Sequence, residues 1–488
     1  MATVDVDVQQ LLIGGRWVGA SSGRSFEKIN PFTGEAAGSA AAAGRDDARA
    51  AVEAANDAFP AWGAAPPAQR RELLNAAAAL LLERQEQLAA IVTEETGGTF
   101  GWGMFNCMLA AGMLREAAAQ AYWVTGEVIP SDVPGKLAMG VRQPAGVVVG
   151  IAPWNAPVIL STRAVATPLA YGNTVVLKAS EECPRTHAAI AAVLQDAGLP
   201  DGVVNFIANA PEDAADVVDE LISHSATRRI NFTGSTRVGR IIAENAGRHL
   251  KRVLLELGGK APLLVLADAD LDRAVAAAHF GAFMHQGQIC MSTERIVVDR
   301  SIVDEFAARL SERAKGLKVG DPRDPETQIG PLINSAALQR VTEMVQDARS
   351  RGAQVLVGGE AEGPCFQPTV LHGVTPEMRV YGEESFGPLA SIVTVDGVDE
   401  AVRVANDTEY GLAAAVFSQD VPGALEIAHR IESGICHVND ATVHDEPQMP
   451  FGGVKASGFG RFGGRAALEE FTELRWITVQ DTERHYPI

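Results

Sequence analysis

The first part of the chain carries its apolar residues at helical intervals. Between Gly44 and Gly97, alanine is abundant and leucine recurs along one helix face, which predicts two or more helices. Pro66 and Pro67 interrupt this stretch. Because proline is tolerated at the start of a helix but not in its interior, we expect one helix to end and the next to begin there.

From Val147 onward, short runs of β-branched residues alternate with helical stretches. The pattern predicts strands at 147–151, 174–177, 203–207 and 229–232, and helices at 187–196 and 212–221. Such alternation is typical of a parallel sheet with helices on both faces. The sequence therefore predicts an α/β fold.

The alternation resumes after Gly259. Here it predicts a helix at 271–285 and strands at 261–266, 295–298, 355–357 and 391–395. We therefore expect two α/β units that divide near residues 257–259. Residues 124–142 fit neither unit and predict a hairpin, while 471–479 predict a closing strand. We expect these two segments to pair and to project from the body.

Charge excludes some partners. The chain has 488 residues, with 61 acidic against 41 basic side chains and a formal net charge of −20. A surface of this sign repels nucleic acid and anionic membranes, so we expect neither as a partner.

No apolar run approaches the ~18 residues of a membrane span. Residues 1–10 lack the apolar core of a secretory signal, so the expected location is the cytoplasm.

The cysteines do not form a framework. They stand at positions 107, 183, 290, 365 and 436, an odd number without C-x-x-C spacing. This argues against disulfides and against a zinc site, and we expect no metal.

Two glycine-containing segments are candidates for nucleotide binding. Gly458, Gly460 and Gly463 form a literal G-x-G-x-x-G, but too near the end of the chain for a βαβ unit, so we interpret it as a turn. Residues 232–239 (FTGSTRVG) lie where a strand ends and a helix begins. That geometry directs free N–H groups at an anion such as a pyrophosphate, although ordinary helix capping has the same sequence.

Lys178 and Glu181 follow another predicted strand. Ligands of α/β sheets collect beyond the carboxyl ends of strands, so this pair could hold the two hydroxyls of an adenosine ribose. A solvated charge pair is the alternative.

Three residues are candidates for catalysis. Cys290 lies in a loop (GQIC) after a predicted helix, where a thiol can react, although most free cysteines are buried and inert. Glu256 lies in an apolar run, where burial would raise its pKa towards that of a useful base unless a Lys or Arg pairs with it. Asn155 precedes a helix and could donate its amide N–H to an oxyanion, or simply form an Asx turn.

Seven ordered segments resemble those of the NAD(P)-dependent aldehyde dehydrogenase superfamily over essentially the whole chain. They are PWNAP (153–157), LKASE (177–181), FTGSTRVG (232–239), LELGGK (255–260), GQIC (287–290), EESFGP (383–388) and PFGGVKASGFGR (450–461). The resemblance implies a Rossmann-like NAD-binding domain at 1–123 and 143–256 and an α/β catalytic domain at 257–455. It also implies a small β oligomerisation hairpin from 124–142 and 470–488, and hence a homodimer or homotetramer.

The resemblance also implies a role for each matching residue. Cys290 attacks the aldehyde, Asn155 and the backbone N–H of Cys290 hold the oxyanion, and Glu256 activates the water that hydrolyses the thioester. Relatives that transfer the acyl group to coenzyme A generally lack this glutamate, so hydrolysis is expected. The residues implied to bind NAD, with NADP as the alternative, are Trp154, Lys178, Glu181, Gly234, Ser235, Gly239, Leu257, Glu384 and Phe386. The charge of Glu181 should repel a 2′-phosphate, which favours NAD.

Two motif variants narrow the substrate. QICMSTER (288–295) and VHDEPQMP (443–450) look most like those of bacterial vanillin and salicylaldehyde dehydrogenases, which act on substituted benzaldehydes. We therefore expect oxidation of a vanillin-type aldehyde, with salicylaldehyde, plain benzaldehyde or a broad aliphatic range as alternatives. The candidate lining of the substrate tunnel is Trp102, Phe105, Ile159, Arg163 and Met284, with core packing as the alternative for the aromatic residues. Arg163 is expected to meet a ring oxygen, or else to pair with a carboxylate away from the substrate.

Two other functions compete with this interpretation. A thiol esterase would use Cys290 and Glu256 without a nucleotide, and the nucleotide-binding segments argue against it as the main role. An inactive structural protein would have no physical need for Cys290, Glu256 and Asn155 together.

Overall fold

The computed structural model describes residues 8–488. The segment 1–10, which is predicted to lack a secretory signal, therefore lies mostly outside the described residues. The helices are α1 (Arg45–Gly63), α2 (Pro67–Glu83), α3 (Gln85–Thr96), α4 (Phe100–Gln120), α5 (Pro157–Ala170), α6 (Pro184–Asp196), α7 (Ala214–Ser223), α8 (Thr236–Arg248), α9 (Leu271–Phe283), α10 (Val303–Lys315), α11 (Ser335–Ser350), α12 (Arg379–Gly382), α13 (Gly397–Asn406), α14 (Val421–Arg430) and α15 (Ala467–Phe471). Short 3₁₀ turns cover Pro211–Asp213, Met284–Gly287 and Lys455–Ser457.

The strands are β1 (Leu11–Ile13), β2 (Arg16–Val18), β3 (Ser25–Ile29), β4 (Ala36–Ala41), β5 (Gly126–Ile129), β6 (Lys136–Pro144), β7 (Val147–Ile151), β8 (Thr174–Lys178), β9 (Val204–Ile207), β10 (Thr227–Thr233), β11 (Arg252–Glu256), β12 (Ala261–Val265), β13 (Thr293–Asp299), β14 (Gln354–Val357), β15 (Ala361–Glu362), β16 (Cys365–Phe366), β17 (Thr369–His372), β18 (Leu389–Val395), β19 (Ala413–Phe417), β20 (Ile435–Val438), β21 (Gly458–Phe459) and β22 (Thr472–Gln480).

The first large sheet has the strand order β2-β1-β9-β8-β7-β10-β11-β21. The strands from β9 to β11 are parallel, and antiparallel strands flank them on both edges. Strands β7 and β8 are buried at every position, which explains their uninterrupted apolar runs. The chain leaves β7 for β8 and β9 on one side and later adds β10 and β11 on the other. The strand order therefore reverses between β7 and β10, and such a switch point opens a crevice for ligands at the carboxyl ends of the strands.

The second large sheet has the order β14-β17-β18-β13-β12-β19-β20 and is parallel except for β14. One apolar cluster includes residues of α9 and α10, and a separate cluster includes residues of α11, α13 and α14. The sheet is thus covered by helices on both faces, which is the layered α/β arrangement that the sequence predicts.

The predicted hairpin and closing strand pair with each other. Strand β22 runs antiparallel to β6 over nine residue pairs, from Thr472 opposite Pro144 to Gln480 opposite Lys136, and β5 pairs with the other edge of β6. Large apolar side chains on this sheet are exposed, among them Val128, Leu474 and Trp476.

Several elements differ from the sequence expectation. The helix predicted at 271–285 ends at Phe283, because His285 and Gln286 adopt left-handed φ angles of 49° and 57°. Helix α4 was not predicted, since it is apolar on most of its sides and its glycines obscure a single buried face. The strand β11, which ends at Glu256, was recognised only as an apolar run.

Candidate active site

The crevice at the switch point continues as a groove that is lined by every predicted nucleotide-binding residue except Gly239. At one end, a cavity of about 970 Å³ is lined by Lys178, Glu181, Gly234 and Ser235, among others. Lys178 forms an ion pair with Glu181, and Asn209 Nδ2 donates a hydrogen bond of 2.9 Å to the same carboxylate. Burial would raise the pKa of Glu181, but Lys178 and these hydrogen bonds together lower it, so the carboxylate is charged.

The middle of the groove is the N-terminus of α8. Ser235 caps this helix by accepting a hydrogen bond from the backbone N–H of Val238. The helix begins at the carboxyl end of β10, where its first N–H groups and its dipole suit a pyrophosphate. Gly239 lies in the first turn, where an added Cβ would approach Leu257 Cδ2 to 2.5 Å. The glycine therefore lets Leu257 pack directly against the helix.

The other end of the groove is a cavity of about 420 Å³, lined by Trp154, Asn155, Glu256, Leu257, Cys290, Glu384 and Phe386 together with Gly234 and Ser235. Gly259 donates its backbone N–H to Glu384 Oε1 at 2.9 Å. Burial and the charge of Glu294 raise the pKa of Glu384 to about 7. The ring of Phe386 meets Trp154 edge to face, with the centroids 5.7 Å apart.

Cys290 lies where this cavity meets a second one. Cys290 and Asn155 line both the cavity of about 420 Å³ and another of about 660 Å³. Asn155 Nδ2 donates to the backbone carbonyl of Gln288 at 3.0 Å, and Gln288 Oε1 accepts from the backbone of Ile333 at 3.0 Å. An added Cβ on Gly287 would meet the carbonyl oxygen of Gly387 at 2.1 Å, so the loop before the thiol packs backbone to backbone.

Glu256 is buried beside the thiol, with 1% of its surface exposed. Within residues 8–488, neither carboxylate oxygen has a hydrogen-bond partner. The alternative of a Glu paired with a Lys or Arg is therefore wrong. Burial raises the pKa of Glu256 to about 7, against the opposing effects of the Arg163 charge and the Cys290 thiol. A carboxylate with this pKa can take a proton at neutral pH.

The Cys290 thiol itself is partly exposed. Desolvation and the negative charge of Glu256 raise the pKa of Cys290 well above its ordinary value, and Arg163 opposes the rise. A thiol in this setting stays protonated until a neighbouring base accepts its proton. Among the described residues, Glu256 is placed to do so.

The cavity of about 660 Å³ contains every residue predicted to line a substrate tunnel: Trp102, Phe105, Ile159, Arg163 and Met284. Trp102 does more than line this cavity. Its indole N–H donates to the backbone carbonyl of Asn155 at 3.0 Å, and its ring stacks on His285 with the centroids 4.6 Å apart. Asn155 lies just outside α5, whose N-cap is Ala156, while Ile159 and Arg163 occupy one face of that helix.

Arg163 forms an ion pair with Asp445, and both side chains are about nine-tenths buried. The Arg163 guanidinium also lies over the ring of Phe451, 4.2 Å from its centroid. Both members of the pair line the cavity, so the carboxylate partner is not remote from the candidate substrate site. The two interpretations of Arg163, as a salt-bridged residue and as a contact of the substrate, are therefore compatible.

Comparisons with known proteins agree with this geometry. The sequence profile described as "Aldehyde dehydrogenase family" matches residues 17–477. The chain belongs to the aldehyde dehydrogenase family. It is 58% identical to a vanillin dehydrogenase of Pseudomonas fluorescens, over 98% of this chain and 99% of the relative.

Solved structures of the family have the same fold. One is a salicylaldehyde dehydrogenase from Pseudomonas putida G7 complexed with salicylaldehyde, with a TM-score of 0.97 and 45% identity over 98% of this chain and 99% of that one. Another is a betaine aldehyde dehydrogenase from Staphylococcus aureus in complex with NAD⁺, with a TM-score of 0.94 and 32% identity over 98% of this chain and 95% of that one. The predictions of the family, the α/β fold and an NAD(P)-dependent aldehyde oxidoreductase are confirmed.

The sequence interpretation missed several residues of the site. Arg340 and Ile333 line the cavity of about 420 Å³, and Asp445 pairs with Arg163. Asp445 lies in the VHDEPQMP segment, and the signal that points to it is the need of a buried arginine for an acidic partner. Ser457, in the glycine-rich segment, contacts the loop that follows Glu256. Its hydroxyl donates to the carbonyl oxygen of Gly258 at 2.6 Å. The literal G-x-G-x-x-G, interpreted from sequence as a turn, begins with the short strand β21, whose residues Gly458 and Phe459 pair with β11; only the rest of the motif is loop.

The remaining cysteines are free, and Cys107, Cys183 and Cys365 are buried. Within residues 8–488, no helix combines the length and the apolarity needed to cross a bilayer.

Proposed function

We propose that this protein oxidises a ring-substituted benzaldehyde of the vanillin type to its carboxylate, with NAD⁺ and a thioester on Cys290. The observation that carries the proposal is the position of Cys290 between two cavities. One is lined by residues predicted to bind the nucleotide, Glu384 and Phe386 among them. The other is walled by the rings of Trp102 and Phe105, with the Arg163–Asp445 pair among its lining residues. The vanillin dehydrogenase and salicylaldehyde dehydrogenase relatives support an aromatic substrate.

The groove suits a dinucleotide along its length. Lys178 and the charged Glu181 would hold the adenosine ribose, the N-terminus of α8 the pyrophosphate, and Glu384 with Phe386 the nicotinamide half. The charge of Glu181 would repel a 2′-phosphate, which favours NAD⁺ over NADP⁺. Bound there, NAD⁺ would accept the hydride that leaves the substrate carbon.

The chain's own residues would perform the other steps. Glu256 takes the thiol proton as Cys290 Sγ forms a bond to the aldehyde carbon. Asn155 uses one amide N–H on the Gln288 carbonyl, so its second N–H is available for the oxyanion. Loss of the hydride restores the C=O bond and leaves a thioester. Glu256 releases the thiol proton to solvent and then takes a proton from water as the hydroxyl adds to the thioester carbon. The C–S bond breaks, and Glu256 returns this second proton to the leaving sulfur, so that the acid and the free thiol are released.

The test is a panel of vanillin, salicylaldehyde, benzaldehyde and short aliphatic aldehydes, each assayed with NAD⁺ and NADP⁺. We expect the highest kcat/KM with vanillin-type rings and NAD⁺, and no oxidation by Cys290→Ala. A preference for aliphatic aldehydes would refute the aromatic substrate. Ester hydrolysis by the wild-type protein without aldehyde oxidation would favour the thiol esterase.

Substitution of Arg163 tests recognition of the ring substituent separately from general reactivity towards aldehydes. Arg163→Leu should lower kcat/KM for vanillin by about tenfold more than for benzaldehyde, since a lost charge-assisted hydrogen bond costs about 1.5 kcal/mol or more. An equal loss on both aldehydes would assign Arg163 to the ion pair alone.

We also propose that the two α/β units act as the NAD-binding and catalytic domains and that the sheet β22-β6-β5 joins subunits into a homodimer or homotetramer. The exposed apolar side chains of this sheet support that role, and Trp476 is 75% exposed. Trp476→Glu should lower the mass measured by light scattering, and an unchanged mass would contradict this assignment. The cytoplasmic location remains a prediction of the sequence.

A further inference from the structure

A buried carboxylate lies behind the residues that face the nicotinamide end of the groove. Glu294 is on β13, four residues after Cys290, and only 3% of its surface is exposed. It does not line the cavities that contain Cys290. Neither the proposed reaction steps nor the family motifs assign it a role.

Glu294 collects four hydrogen bonds from the segment 383–388 and one from Lys260. The backbone N–H of Ser385 lies 3.0 and 2.9 Å from its two oxygens, the Ser385 hydroxyl donates at 2.5 Å, and the backbone N–H of Phe386 donates at 3.0 Å. Lys260 Nζ, which is fully buried, donates at 2.6 Å. The lysine thus supplies the opposite charge that a buried carboxylate requires.

These contacts are made by a backbone segment that includes an unfavourable conformation. Phe386 has a left-handed φ of 48°, which is unfavourable for an aromatic residue. The backbone N–H groups of Ser385 and Phe386 both donate to the Glu294 carboxylate. The side chain of Glu384, the residue before them, accepts from the backbone N–H of Gly259 at 2.9 Å. Glu294, paired with Lys260, therefore fixes the backbone from which the side chains of Glu384 and Phe386 extend.

We propose that Glu294, charged and paired with Lys260, is a positioning residue for hydride transfer, because it fixes Glu384 and Phe386 relative to Cys290. The inference rests on the proposed function in one respect, namely that these two residues hold the nicotinamide half. A neutral amide cannot replace the carboxylate. Its NH₂ group would face N–H and O–H donors where an acceptor is needed.

The test compares Glu294→Gln with a matched control, Asp268→Asn. Asp268 also accepts from one serine hydroxyl and two backbone N–H groups, those of Ser418, Gln419 and Asp420, but it does not line the cavities that contain Cys290. Each variant is assayed on the aldehyde that the wild-type protein oxidises fastest. A failure of the aromatic proposal therefore leaves this test intact.

Three measurements give the readout: kcat for oxidation, the kinetic isotope effect with the aldehyde deuterated at its reacting carbon, and hydrolysis of an activated ester. An activated ester acylates Cys290 directly and bypasses hydride transfer. For Glu294→Gln we expect a loss of kcat of tenfold or more, an increased isotope effect and ester hydrolysis within threefold of wild type. Asp268→Asn should leave all three unchanged.

Three results would overturn the inference. Equal losses of oxidation and ester hydrolysis in Glu294→Gln would show a general structural role, and so would a loss of kcat without an increased isotope effect. Unchanged kcat would remove any role of the charge. A wild-type protein that oxidises only aliphatic aldehydes, with Glu294→Gln still showing the selective loss, would refute the aromatic substrate and keep the positioning role.

Discussion

Glu256→Gln should make the protein more stable and much slower. The substitution keeps the shape of the side chain but removes its charge and its ability to take a proton. In the folded protein, burial raises the pKa of Glu256 from 4.5 to about 7. That rise corresponds to about 3 kcal/mol by which folding disfavours the charged carboxylate.

The effect on stability depends on pH in a definite direction. A carboxyl whose pKa is higher in the folded than in the unfolded chain binds more protons when folded, so stability is lost as pH rises from about 5 to 7. At pH 8, wild type carries the full penalty of about 3 kcal/mol, whereas at pH 5 the penalty is under about 1 kcal/mol. Glutamine carries none of it at either pH.

The assay is thermal unfolding of wild type and Glu256→Gln at pH 5 and pH 8. We expect the variant to melt at a higher temperature than wild type at pH 8, with a smaller difference at pH 5. Glu312→Gln, which changes a carboxylate that is 79% exposed, serves as the control and should show no such pH dependence. A variant no more stable than wild type at pH 8 would refute the argument that Glu256 is a strained, unpaired base.

Kinetics of the same variant test the proposed role. Loss of general-base catalysis costs about 10² to 10⁴ in rate. If Glu256 acts mainly on water, Glu256→Gln should still produce a rapid burst of NADH of up to one per subunit, followed by slow turnover. Absence of the burst would mean that removal of the Cys290 proton is the step that requires Glu256.

Three further predictions concern the groove and the cavity. Trp102→Phe keeps a flat ring but removes the N–H that donates to the Asn155 carbonyl, so kcat should fall about fivefold, or about 1 kcal/mol, for aromatic and aliphatic aldehydes alike. A loss confined to aromatic aldehydes would mean that Trp102 acts only by lining the substrate cavity. Lys178→Met should raise the KM for NAD⁺ about tenfold with kcat nearly unchanged, and an unchanged KM in steady-state assays would remove it from the nucleotide site. Gly239→Ala places a methyl group 2.5 Å from Leu257 Cδ2, so both the melting temperature and the affinity for NAD⁺ should fall, and a variant equal to wild type in both would contradict the close packing.

Local patterns were enough for much of the fold. The strands at 147–151 and 174–177 and the helix boundary at Pro66 and Pro67 follow from apolar runs and from proline, which act within a few residues of sequence. The same is true of the chemistry, since a thiol, a carboxylate in an apolar run and an amide before a helix are visible as residue types. Their order along the chain was sufficient to identify the family.

Local patterns failed where packing decides the conformation. Helix α9 stops at Phe283 although the helical pattern continues, because the next residues turn left-handed. Helix α4 has no single polar face, so periodicity could not reveal it.

The sequence by itself determined which reactive groups this protein has, and only the tertiary structure decided which of them meet. It places Asn155 and Glu256 in one cavity with Cys290 and gives Arg163 a carboxylate 282 residues further along the chain. Among residues 8–488 it leaves both carboxylate oxygens of Glu256 without a hydrogen-bond partner. Burial and pairing depend on neighbours that are distant in sequence, and the pKa of a buried group depends on both. The raised pKa of Glu256 is therefore a property of the folded chain.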